Sequence, residues 1–142
     1  MALAMSEPSL HHVGHVVSSI ADSIAGWRLA LGAVAVSDVI EDPIQQVRVL
    51  FISLPPDGNI QFELIEPVGA DSRVRSFAEK GGGLHHLCFE VDRLERQIDH
   101  MKSLKAILIR APQPAVAFGG RRIAWMSLRE KLLVEYLERA AR

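Results

Sequence analysis

The chain repeats itself, and the repeat constrains its fold more than any other feature. Leu10-His11-His12-Val13 lies over Leu84-His85-His86-Leu87, an offset of 74 residues from Leu10 to Leu84. At that same offset Val17 falls on Val91, Ile20 on Leu94 and Ile24 on Ile98. The ends match too: Phe62-Glu63-Leu64-Ile65-Glu66 resembles Val134-Glu135-Tyr136-Leu137-Glu138, at an offset of 72. Agreement at both ends, in one order, points to one supersecondary unit used twice. Each copy opens on His-His and closes on an apolar-Glu-apolar strand.

Local signals assign the same elements to both copies. In the first, residues 10–17 read as a strand. Ser18 or Ser19 caps a helix over 20–31, with Ile20, Ile24, Trp27 and Leu31 at helical spacing and Gly32 past its end. Apolar strands follow over 34–40, 46–54 and 60–66, with Pro55-Pro56-Asp57-Gly58 as a turn. A short helix near 72–80, with Val74, Phe77 and Ala78 on one apolar face, ends at Gly81-Gly82-Gly83. The pattern then restarts with a strand over 84–91 and a helix carrying Leu94, Ile98 and Met101. Asp92 and Glu95 resemble a capping box at its start. A strand over 106–110, a loop over 112–118 and a hairpin of 121–128 and 132–138 complete it. The expected fold class is therefore α+β, with tandem βαβββ modules. Its parts are an N-terminal tail over 1–9, a first module over 10–70, a linker helix over 71–83 and a second module over 84–142, forming one domain.

Composition narrows the function. Lys+Arg 16 against Asp+Glu 17 leaves a formal charge of −1, so a basic footprint for nucleic acid is missing. No apolar run is long enough to span a bilayer, and Met1–Leu10 has neither a basic nor a long apolar signal-peptide region. The single cysteine, Cys88, forms no internal disulfide, which suits a reducing, cytoplasmic compartment. The expected partner is thus a small molecule, with no nucleic acid and no membrane. Five of the six histidines are His11, His12, His15, His85 and His86, at the openings of the two copies.

Alternation along strands sorts these residues by face. Over 84–91, Leu87, Phe89 and Val91 face the following helix, and His86, Cys88 and Glu90 face the other way, into wetter surroundings. Phe62 and Leu64 share the helix side, Gln61 and Glu63 the other. His11, Val13, His15 and Val17 take the packed face, and His12 with Gly14 the opposite one. Glu135 lies between Leu133 and Leu137, with Val134 and Tyr136 facing away. Each copy so places one His and one Glu on the face away from its helix: His12 with Glu63, and His86 with Glu135. A Glu within an apolar strand is costly unless paired or bound to a metal. Two imidazoles and two carboxylates suit a divalent transition metal. A single strand histidine is more often a packed residue than a ligand, which is how His11, His15 and His85 are read.

With these residues in view, the chain resembles the vicinal oxygen chelate superfamily, which includes glyoxalase I, extradiol dioxygenases and fosfomycin-resistance proteins. It is most similar to the methylmalonyl-CoA epimerases, on His12-Val13-Gly14, Glu63-Leu64-Ile65-Glu66-Pro67, Gly83-Leu84-His85-His86, Phe89-Glu90-Val91-Asp92, Gly119-Gly120-Arg121 and Leu133-Val134-Glu135. The resemblance implies a vicinal oxygen chelate fold, a partly open barrel of mixed β-sheet. It implies His12, Glu63, His86 and Glu135 as ligands of one divalent metal ion (Co, Mn, Ni, Zn or Fe), and Glu135 as the catalytic base. It also implies an isomerase or lyase acting through an enolate, an acyl-CoA substrate and a homodimer. The alternatives are a glyoxalase I-type lyase, an Fe(II) extradiol dioxygenase-like enzyme and a non-catalytic antibiotic-binding protein. One departure stands out: some epimerases carry a second catalytic Glu on the third strand, where this chain has Val47-Arg48-Val49-Leu50. Glu41 and Asp42 lie a few residues earlier. The family's His-Pro segment is replaced by Ser127-Leu128-Arg129-Glu130-Lys131. Arg121 and Arg122 suit a phosphate or carboxylate, and equally a solvated hairpin. Cys88 and Trp27 read as buried packing residues.

Overall fold

The computed structural model describes residues 7–140. Most of the tail over 1–9 and the last two residues of the second module lie outside them. Residues 12–85 form one compact unit; residues 86–140, with 7–11, form the other. Each carries a mixed sheet with a helix on one side, which is the α+β class that the repeat requires.

In the first unit, β1 (Ser9–Val16) leads into α1 (Ile20–Leu31). The helix starts where local chemistry sets it: the Ser19 hydroxyl accepts the Asp22 N–H at 3.2 Å. It ends at Gly32, whose φ of 69° lets its N–H bond back to the Arg28 carbonyl. The single strand expected over 34–40 is instead two short ones, β2 (Val34–Ala35) and β3 (Ile40–Asp42). They pair with β4 (Val47–Leu54), which pairs with β5 (Ile60–Pro67), and β5 runs parallel to β1. The apolar face of this sheet meets α1 through Val17, Ile20, Leu50, Ile52 and Leu64, with Trp27 and Phe62 packed at its edge. The short helix α2 (Arg75–Glu79) stops where the Gly81 and Gly82 N–H groups bond to Ala78 and Phe77 carbonyls.

The second unit orders its strands β6 (Gly83–Val91), β9 (Leu133–Glu138), β8 (Arg122–Ser127) and β7 (Ile107–Pro114), with β6 and β9 parallel. Strand β7 runs on through Pro112 and Pro114, where the sequence pattern predicts a loop; it is the end strand of this order, where proline is tolerated. Helix α3 (Leu94–Ser103) packs Leu94 and Ile98 on Val91, Met126, Val134 and Tyr136. Its start corrects the capping box. Arg93 is the N-cap, with no side-chain cap bond, and Asp92 turns to Arg139 at 2.7 Å. The Leu94 N–H goes instead to Glu138 Oε2 at 3.3 Å. The opposite face is no wetter than the helix face: Cys88, Ile123, Leu137 and Ala115 form their own buried cluster there. Among the described residues, no helix is long and apolar enough to cross a membrane.

Candidate metal centre

Within the first unit, parallel pairing sets His12 beside Glu63. Glu63 stands level with Gly14, two residues beyond His12 on the same face of β1. Its carboxylate reaches diagonally back, leaving His12 Nε2 3.6 Å from Glu63 Oε1. Both residues are buried, His12 at 1% and Glu63 at 6% exposure. The second unit builds the same pair. Glu135 stands level with Cys88, two residues beyond His86, and His86 Nε2 lies 3.6 Å from Glu135 Oε1. These too are buried, at 4% and 3%.

A separation of 3.6 Å is too long for a hydrogen bond. It fits two donors of one ion, since bonds of about 2.0–2.2 Å to nitrogen and oxygen hold neighbouring ligand atoms roughly 3–3.6 Å apart. The donor chemistry agrees: an imidazole nitrogen and a carboxylate oxygen in each pair match borderline first-row divalent ions.

Sequence reasoning missed one component. Phe51 on β4 stands directly opposite Glu63 and lies edge-on to His12, ring centroids 5.5 Å apart. Trp125 on β8 stands opposite Glu135 and edge-on to His86, at 4.6 Å. The two aromatics sit at the same offset of 74 residues as the histidines. That spacing was the available signal. An aromatic in an apolar strand reads first as core.

The other strand histidines have aromatic neighbours of their own. His11 meets Phe118, His15 meets Trp27 and His85 meets Phe77, all edge-on. Burial lowers the pKa of His15, outweighing a backbone hydrogen bond that raises it.

The acids near the third strand are accounted for. Glu41 pairs with Arg48, on the helix side of β4 and away from His12, and its Oε1 accepts two guanidinium N–H groups. Asp42 is buried, and its Oδ1 accepts the Ile44 and Gln45 N–H groups at 3.0 Å, closing a turn. Arg121 pairs with Glu90 at 3.0 Å, and Arg122 with Glu95 and Glu138. Both arginines are engaged with protein carboxylates. Cys88 is fully buried beside Leu137 and Ile123.

Residues 11–125 match the model of the Glyoxalase/Bleomycin resistance protein/Dioxygenase superfamily. Among curated proteins, the chain is 32% identical over 119 residues to the ethylmalonyl-CoA/methylmalonyl-CoA epimerase of Cereibacter sphaeroides, covering 82% of this chain and 86% of that one. It is 37% identical over 98 residues to the mitochondrial methylmalonyl-CoA epimerase of Mus musculus, covering 68% of this chain and 53% of that one. The chain therefore spans about half the length of the mouse relative and most of the bacterial one. Among solved structures, methylmalonyl-CoA epimerase from Mycobacterium tuberculosis superposes with a TM-score of 0.77 at 24% identity, over 99% of this chain and 94% of that one. That likeness shows the fold.

Proposed function

The chain belongs to the Glyoxalase/Bleomycin resistance protein/Dioxygenase superfamily, and from that premise we propose that it is a divalent-metal-dependent epimerase of a short branched acyl-CoA, methylmalonyl-CoA in the first instance. The observation that carries this reading is the repeated His–Glu pair, held at 3.6 Å in both units. Homologous proteins named as epimerases of such thioesters add to it.

In this reading His12 and Glu63 in one unit, and His86 and Glu135 in the other, are the metal ligands. A bound divalent ion supplies Lewis-acid stabilisation to the substrate oxygen that gains charge when the α-proton leaves. Glu135 takes that proton as general base, and epimerisation is completed when a proton returns to the opposite face of the planar α-carbon. Buried strands fix the carboxylate, and the apolar cluster beside it, Cys88, Ile123 and Leu137, excludes water from its flank. A homodimer belongs to the same reading by analogy with the family, and a reducing, cytoplasmic setting by its single cysteine.

The test is deuterium exchange. Chain loaded with cobalt or manganese is incubated with methylmalonyl-CoA in D₂O and followed by NMR at the α-carbon. Exchange of the α-hydrogen is expected. Its absence with every first-row divalent ion removes the epimerase reading.

A further inference from the structure

The ligand glutamates are each followed, three residues on, by another glutamate: Glu66 after Glu63 and Glu138 after Glu135. An odd spacing turns these second carboxylates to the helix side of the sheet. There both do the same two things. Glu66 Oε1 accepts the Ile20 N–H, the first of α1, at 2.8 Å, and its Oε2 accepts from Arg48 on β4. Glu138 Oε2 accepts the Leu94 N–H, the first of α3, at 3.3 Å, and also accepts from Arg122 on β8 at 2.7 Å. Each arginine bridges to one more carboxylate, Glu41 in the first unit and Glu95 in the second.

These ties sit where the fold needs them. The strands that carry His and Glu are parallel in each unit, so no hairpin turn joins them and sets their register. A slip of one residue would turn one partner to the wrong face and separate the pair. Beyond the last ladder bonds, Val17 N–H to Ile65 at 2.9 Å and Arg139 N–H to Val91 at 2.8 Å, the glutamate closes the end of the parallel pair onto the helix that follows the histidine strand. Charge-assisted bonds to a guanidinium and to a helix N-terminus are the strong kind.

We propose that Glu66 and Glu138 are positioning residues that lock the parallel register and so set the His12–Glu63 and His86–Glu135 separations for metal binding. This rests on the metal-site reading above. Neither residue shares a sheet face with the ligands, so each acts through the strand that carries its ligand glutamate.

Cobalt(II) titration of the full chain, read by visible absorption and calorimetry, tests the proposal beside thermal melts. Glu66→Leu and Glu138→Leu are each expected to weaken cobalt binding by roughly ten- to hundredfold. Glu66→Gln, which keeps an acceptor for the Ile20 N–H, restores binding to within about threefold of wild type. Ser19→Ala is the control, since it removes the ordinary cap of α1 without touching the tie. It lowers the melting temperature and leaves cobalt affinity and spectrum as they were. If Glu66→Leu does not fold, Arg48→Met takes its place, with a three- to tenfold loss expected. Leucine or methionine variants that keep wild-type affinity, or an equal loss in Ser19→Ala, overturn the proposal. If the wild-type chain binds no cobalt, the metal reading fails, and amide exchange then decides on the tie. Faster exchange at Val17 in Glu66→Leu than in Ser19→Ala upholds the register lock, and equal exchange overturns it.

Discussion

Trp125 lies edge-on to His86 with ring centroids 4.6 Å apart and the planes at 83°, and it stands opposite Glu135 in the β8–β9 ladder. The indole is therefore a built-in reporter on one His–Glu pair. In the proposed site, paramagnetic cobalt or nickel beside His86 is expected to quench its fluorescence. Trp27, the other tryptophan, lies against His15 on the helix side. Trp27→Phe is expected to keep most of the quenching, and Trp125→Phe to lose it. A fluorescence titration of the two variants checks this.

The two glutamates of the proposed site separate by chemistry. Glu135→Gln keeps the shape of the side chain and loses the base, so α-deuterium exchange falls by about 10²–10⁴-fold. Glu63→Gln keeps an oxygen donor at the same place on the strand. It is expected to hold its metal and to lose less than about tenfold in exchange. Metal content and exchange rates of both variants decide the matter. Equal losses would remove Glu135 from the role of base.

Helix α1 is legible to the residue because its cap and stop are local, made by Ser19 and Gly32. The strand expected over 34–40 is not, because its interruption is made at a distance. The Ser37 hydroxyl takes the Phe51 N–H that a strand carbonyl would otherwise accept. The same holds for α3, whose first N–H finds Glu138, 44 residues away in the chain, instead of Asp92. The His–Glu pairs are readable from strand parity, since a two-residue period needs no knowledge of neighbours. Their supports are not. Arg48 and Arg122 look like surface charges until the strand order brings them to Glu66 and Glu138.

His15 gives the stability a defined pH dependence. Burial lowers its pKa from the ordinary 6.5, so the unfolded chain takes up the proton first as pH falls. A state that binds more protons on unfolding loses stability toward acid. The contribution is complete above pH 6.5 and is lost as pH falls toward the lower folded value. Thermal melts between about pH 7.5 and 5 therefore slope downward, and His15→Phe, which keeps an aromatic against Trp27, flattens part of that slope. Parallel slopes in the two proteins would contradict it.

Two glycines bracket what the first unit tolerates. Gly82 has a φ of +70°, and a Cβ there would come 2.4 Å from the Val16 carbonyl oxygen. That oxygen is backbone at the end of β1, so no side chain can swing aside, and the strand carrying His12 must shift. Gly82→Ala is expected to cost more than about 2 kcal/mol, from the left-handed backbone and the collision together. Gly26 is the opposite case: it lies exposed within α1, and a Cβ there meets nothing within 4 Å. Gly26→Ala reduces the freedom of the unfolded chain and stabilises by about 0.5–1 kcal/mol, a rise of roughly 2–4 °C per kcal/mol in melting temperature. Urea and thermal unfolding measure both. A Gly82→Ala chain as stable as wild type would show that β1 does not pass so close to this turn.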